Sequence, residues 1–239
     1  MKKKPAHPNI KKAIRKQGNK KTAKTLSWFF KTGKGQYGEG DKFLGLKVPL
    51  LRKIATAFLD LSQKEIKELL NSPYHEDRLA ALMILVRQFA LEKSEEAREK
   101  IFKFYIKNMK QINNWDLVDL SAQYIIGKFL EDKNKSILFK WAKSKNLWTR
   151  RIAIISTLHL IRNGHFETTL KIVKMFLKDE QDLIHKASGW LLREIGKRDL
   201  PTLEIFLKEH YEKMPRTMLR YAIEKFPEAL RQAYLKGKI

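Results

Sequence analysis

An all-α fold made of stacked helix pairs is what this 239-residue sequence predicts. Apolar residues recur at helical spacing along almost the whole chain. Convincing alternation of apolar and polar residues is missing outside one glycine-rich stretch. Capping signals and short Asn, Gly and Pro breaks cut the pattern into segments of about 10–18 residues. The most apolar segments return about every 35–40 residues, the period of a repeat whose helix pairs bury their apolar faces only against neighbours.

In order along the chain, residues 1–38 contain no acidic residue, the first being Glu39. Lysines and arginines from Lys11 to Lys24 alternate there with Ile10, Ile14, Leu26, Trp28, Phe29 and Phe30. The expectation is a flexible basic tip within residues 1–24, with one or two short helices ending near Lys31. Such a segment suits contact with phosphates or simple solvation. Residues 32–45 then carry five glycines in fourteen, a density that marks a loop or tight hairpin with positive φ angles. It lacks the Gly-Lys-Ser/Thr ending of a Walker loop. The loop either carries Lys34, Tyr37 and Lys42 outward or simply turns the chain.

Pro49 suits the first turn of a helix, expected over 50–59. Ser62-Gln63-Lys64-Glu65 is a capping box and opens a helix to residue 70. Ser72-Pro73 breaks the chain before a long helix over 74–91, and Ser94 caps another to 109. Asn113 or Asn114 caps the next, expected to run unbroken from Trp115 through Leu130. Helices over 136–143, 148–162 and 168–177 follow, with Asn146 separating the first two and Asn163-Gly164 ending the second. Those over 182–195, 201–211, 217–226 and 228–235 complete the series. Segments 79–89, 117–130, 152–161 and 184–195 are expected to form one inner layer of a HEAT-like α-solenoid with a concave basic face. Residues 1–239 read as a single α-helical repeat domain.

Composition narrows the function classes. Cysteine is absent, which removes disulfides, thiolate nucleophiles and thiolate metal ligands. The six histidines match no metal-ligand spacing, and His159 is expected in or beside the core. No metal or other cofactor is indicated. No apolar run approaches the roughly 20 residues that span a bilayer, and the basic N-terminus lacks the apolar segment of a secretory signal. A cytoplasmic, monomeric protein without membrane contact is expected. Fifty Lys and Arg against 26 Asp and Glu leave a formal charge of +24, which points to a polyanion and above all to nucleic acid.

Chemistry enters with Asn113-Asn114-Trp115-Asp116-Leu117-Val118-Asp119. Trp115 and Asp119 stand one helical turn apart on one face. An aromatic face beside a carboxylate suits a substrate that carries or develops positive charge. A Trp packed between helices and an Asp in a helix N-terminal turn would give the same pattern. Two further apolar segments carry functional residue types: Trp148-Thr149-Arg150-Arg151, and Lys186-Ala187-Ser188-Gly189-Trp190-Leu191-Leu192-Arg193.

Together these three segments resemble, in order, those of the AlkD-type DNA alkylation-repair glycosylases. The resemblance runs from the glycine-rich loop to about Tyr221. It implies that Asp119 is the catalytic carboxylate, and that Trp115 and Trp190 are the aromatics of the cleft. Arg151 then grips the DNA backbone and Arg193 adds a phosphate contact, with Arg150 and Lys186 beside them as DNA-binding residues. The family's N-terminal cleft aromatic falls on Trp28, Phe29 or Phe30. The implied substrate is double-stranded DNA carrying cationic N3- or N7-alkylpurines, attacked without deep base flipping.

The chemistry suits these residues. Loss of the base leaves an oxocarbenium-like deoxyribose, which a carboxylate can stabilise. The leaving group is already cationic, so no general acid is required. No lysine is singled out beside Asp119 as an amine nucleophile, so a monofunctional glycosylase is expected. A non-catalytic binder of damaged or branched DNA, or a protein-interaction scaffold, are the alternative uses of such a chain.

Overall fold

A computed structural model describes residues 9–239; the first eight residues of the expected basic tip lie outside the described residues. Among the described residues fourteen α-helices follow one another. They are α1 (Ile10–Lys16), α2 (Lys20–Phe29), α3 (Val48–Thr56), α4 (Gln63–Leu70), α5 (His75–Leu91), α6 (Glu95–Lys107) and α7 (Trp115–Asp119). Then come α8 (Ser136–Ala142), α9 (Leu147–Arg162), α10 (Glu167–Met175), α11 (Asp182–Gly196), α12 (Leu200–His210), α13 (Arg216–Ala222) and α14 (Glu228–Lys236). Among the described residues no strand forms, and the glycine-rich stretch is a loop in which a β-type bridge joins Lys42 to Tyr74. No helix of the described residues is long and apolar enough to cross a membrane.

Local chemistry sets the helix starts. Asn9 and Asn19 cap α1 and α2 by accepting from backbone amides, so that two short helices form before Lys31, where one or two were expected. Ser62 and Glu65 form the reciprocal capping box of α4, and the Asn146 carbonyl caps α9 by accepting from Thr149 N at 2.9 Å. Each such cap is worth about 1 kcal/mol. Gly164, at φ 81°, takes the left-handed conformation just beyond α9, where a residue with Cβ would be strained.

The chain divides between Ser121 and Ala122 into two compact units. In the first, α3 and α4 pack on α5, and α1 and α7 also lie against it. Leu79, Leu82, Ile84, Leu85 and Phe89 of α5 are buried, each contributing about 1.5–3 kcal/mol through removal of apolar surface from water. In the second unit α9, α11 and α13 pack in succession. There α8 and α10 flank α9, and α12 flanks α11. That layering agrees with a helical repeat, the layer being lined by Ile152, Ile155, Ile184, Leu191 and Ile195.

The helix expected unbroken from Trp115 through Leu130 is instead interrupted. α7 stops at Asp119, and the chain resumes as a π-helical turn, Gln123–Gly127. The Ser121 hydroxyl donates back to the Leu117 carbonyl at 2.5 Å, a local bond that competes with the α-helical ladder. Gly127 permits the packing beyond the break, because a Cβ there would lie 2.1 Å from the Ser156 carbonyl oxygen.

Candidate functional site

The first unit builds its site on α7. A five-residue helix is too short to persist alone, so its neighbours must hold it. Asn114 Oδ1 accepts from Trp115 N at 2.8 Å and Asp116 Oδ1 accepts from Leu117 N at 2.8 Å. Leu117 and Val118 are fully buried, which leaves Trp115 and Asp119 half-buried on the remaining face. The single Ser121 O–H is used on Leu117, so at 2.9 Å the Tyr105 hydroxyl donates to Ser121 Oγ. Burial, with the Asp119 charge adding to it, pushes the Tyr105 hydroxyl above its usual range, although the Ser121 bond works against this.

Aromatic rings back Trp115. Phe30 lies parallel to it, with ring centres 5.1 Å apart and planes 9° apart. Phe29 meets it edge-on at 6.1 Å. Phe30 in turn stacks on Phe43 at 5.0 Å. Of the three N-terminal candidates, Phe29 and Phe30 therefore meet Trp115. Trp28 is 74% exposed, with the Lys31 ammonium over its ring.

Behind this column the fold places His75, a residue that no motif of the sequence singles out. Its ring stacks on Phe43 at 4.6 Å and lies 5.0 Å from Phe30. Nδ1 faces Asp41 Oδ2 at 3.0 Å, and Nε2 faces Asp116 Oδ2 at 2.8 Å. The carboxylates meet opposite ring nitrogens, which makes a relay rather than a chelate. Asp41, from the glycine-rich loop, also accepts from Arg78 Nη2 at 2.6 Å and from Asn114 Nδ2 at 3.2 Å. Next to it, Glu76 accepts from the backbone amides of Leu44, Gly45 and Leu46 at 2.9, 2.7 and 3.2 Å. Gly45 also lets the loop lie close against the start of α2: its φ is 89°, and a Cβ would sit 2.1 Å from Asn19 O. The expected outward role of the loop is seen only in part. Lys34 and Lys42 are exposed, but Tyr37 is half-buried and its hydroxyl donates to Phe29 O at 3.4 Å.

Burial disfavours a charged His75, as does nearby Arg78. The charge and hydrogen bond of Asp116, with the bond to Asp41, outweigh both and raise its pKa to about 9. Burial likewise works against ionised Asp41, but His75, Arg78 and Asn114 hold its carboxyl below the usual range. A detectable signal existed in the sequence. His75-Glu76-Asp77-Arg78 is a run of four polar, titratable residues opening a helix otherwise rich in Leu, Ile and Ala.

The second unit carries the remaining sequence-predicted residues. Lys186, Trp190 and Arg193 fall at i, i+4 and i+7 on α11, and so share one face. Lys186 pairs with Asp182 at 2.6 Å, Arg193 pairs with Glu224, and Trp190 is half-buried. Arg150 and Arg151 are held more tightly. Arg150 bonds Asp179 through Nε at 2.7 Å and Nη2 at 3.3 Å, and donates from Nη1 to the Ser144 and Lys145 carbonyls. Arg151 is only 5% exposed, and its Nη1 donates to the Leu183 carbonyl. His159 sits half-buried beside the core, with Nε2 2.8 Å from Glu131.

A helical-repeat protein with an aromatic column leading to a carboxylate-bearing helix is the class that this geometry defines. Over residues 10–226 the chain matches the family model of the DNA alkylation repair enzymes. It belongs to that family, and its role is accordingly enzymatic, in DNA alkylation repair. Its fold is similar to a solved structure described as a predicted DNA alkylation repair enzyme from Enterococcus faecalis. The TM-score is 0.67 at 18% identity, over 89% of this chain and 98% of that one. No curated protein matches.

Proposed function

We propose that this chain is a monofunctional DNA N-glycosylase that hydrolyses the glycosidic bond of cationic N3- and N7-alkylpurines in duplex DNA. The observation that carries the reading is α7. Trp115 and Asp119 lie one turn apart, both half-buried and so within reach of a ligand, with the Trp115 ring supported by Phe30. In the reaction the bond from C1′ to the purine nitrogen breaks, and its electron pair leaves with the base, which departs neutral. Asp119 stabilises the sugar cation left behind and orients a water that attacks C1′; the water's proton passes to solvent. Trp115 offers its face to the cationic nucleotide, a contact worth about 0.5–2 kcal/mol.

On α11, Lys186, Trp190 and Arg193 supply DNA contacts. Arg150 and Arg151 act from inside, fastening the first turn of α9 to Asp179 and the start of α11. The test is to incubate the folded protein with a duplex containing N7-methylguanine and to measure free base by mass spectrometry. Release above the spontaneous rate is expected. Tight duplex binding with no release would overturn the glycosylase reading and favour a non-catalytic binder of damaged DNA.

A further inference from the structure

The His75 relay takes no part in bond breaking, yet it meets α7 where that helix begins. Its protonation follows from geometry. An ionised carboxylate only accepts hydrogen bonds, and a neutral imidazole has one N–H. Both His75 nitrogens face carboxylate oxygens, at 3.0 and 2.8 Å, so only the imidazolium satisfies both. The charged groups facing it are Asp41 from the loop, Asp116 from α7 and Arg78 from its own helix. Two carboxylates and two cations cancel, which is the condition for tolerating charge in a buried cluster.

We propose that His75 is a positioning residue: by bridging Asp41 and Asp116 it fixes the first turn of α7 to the end of the glycine-rich loop, and so sets where Trp115 and Asp119 stand. Asn114, the cap of α7, is tied to the same Asp41, so both holds on the helix pass through one cluster. The stacked rings of Phe43, Phe30 and Trp115 give a second route between His75 and the site. The consequence for excision rests on the glycosylase reading; the mechanical link does not. A raised His75 pKa of about 9 agrees with the imidazolium form at neutral pH.

Hydrogen exchange by mass spectrometry on the free full-length protein, wild type against His75→Gln at neutral pH, tests the link. Faster exchange is expected in peptides covering residues 41–46 and 114–120, with α9 and α11 unchanged. Single-turnover release from an N7-methylguanine duplex should fall about 10- to 100-fold, the scale of a small misplacement of reacting groups, with duplex affinity held within about twofold. In wild type, exchange over 114–120 relative to α11 should step up as pH passes from 7 to 10, and that step should be absent from His75→Gln.

Where His75→Gln fails to fold, Asp116→Asn serves instead. A neutral imidazole can donate to Asp41 and accept from the new amide, so exchange at neutral pH should match wild type and the alkaline step should vanish. Unchanged exchange over 114–120 in His75→Gln, loosening spread evenly over residues 9–121, or an alkaline step that persists in Asp116→Asn would overturn the proposal. Wild-type protein that releases no base refutes the glycosylase reading alone, and the exchange comparison still decides whether His75 holds α7.

Discussion

Asp119→Asn preserves shape and removes one charge, which makes its expected effect calculable. Asp119 is half-buried, so an effective dielectric of about 20 applies. At about 4 Å from a sugar cation the attraction is then about 4 kcal/mol. Screening by nearby solvent trims this toward about 3 kcal/mol, in line with losses on removing one electrostatic group from an active site. The single-turnover excision rate should therefore fall by about two to three decades. Stability should hardly move. Asp119 closes α7 at its C-terminal end, where the backbone dipole disfavours a negative charge, so its loss shifts folding by less than about 1 kcal/mol. Duplex affinity should hold or rise, since a carboxylate repels phosphate. The assay is rapid-quench measurement of released N7-methylguanine under enzyme excess, with thermal melting and a binding isotherm on the same preparation. Wild-type excision by a folded Asp119→Asn protein would refute the catalytic role.

Three other perturbations follow from the packing. His75, with its pKa raised from 6.5 to about 9, contributes stability that is complete below about pH 6.5 and is lost as pH rises through about 9. The loss is up to about 3 kcal/mol. Depressed Asp41 gives the opposite limb, stabilising above its ordinary value of 3.8 and fading as pH falls below it. Urea midpoints from pH 6 to 10 should show the alkaline loss in wild type and not in His75→Gln; a flat wild-type profile would contradict it. Gly45→Ala forces a Cβ between Asn19 O and Ala23 N at a φ of 89°, costing about 1–3 kcal/mol or more by strain alone. Gly35→Ala, at φ 75° with nothing within 4 Å, should cost only about 1 kcal/mol; equal urea midpoints for the two variants would rule out the close seating of Gly45 against the start of α2. Arg150→Ala leaves Asp179, 8% exposed in its side chain, unpaired, and should destabilise by about 3–5 kcal/mol. Duplex affinity of the folded fraction should change little; a large loss of affinity at unchanged stability would make Arg150 a DNA contact instead.

Helix order was legible because its determinants are local. Ser62 with Glu65 announces a helix start within three residues. Periodicity gave the buried faces of α5, α9 and α11. The break after Asp119 was not legible, since Ser121 sits in an apolar run that reads as continuous helix, and its hydroxyl shows no preference until Tyr105 approaches it. The carboxylate and Trp of α7 were visible as a pair at helical spacing. Their support was not, because His75 meets partners 34 residues before it and 41 after it. The same distance problem affects Arg150. A basic residue in a first helical turn suggests phosphate, and only folding brings Asp179 against it.

The four charged residues opening α5, between 0% and 5% exposed, give ionic strength two different meanings in one molecule. Dissolved salt competes with exposed lysines for phosphate, and at 1 M its screening length shrinks to about 3 Å. Buried ion pairs are screened much less, so the mooring of the glycine-rich loop should persist. A jump in salt would act as a clutch, disengaging the protein from DNA while leaving its loop, α7 and aromatic column aligned for the next encounter. Rebinding on dilution would then need no refolding step, and recovery would be limited only by diffusion to the duplex.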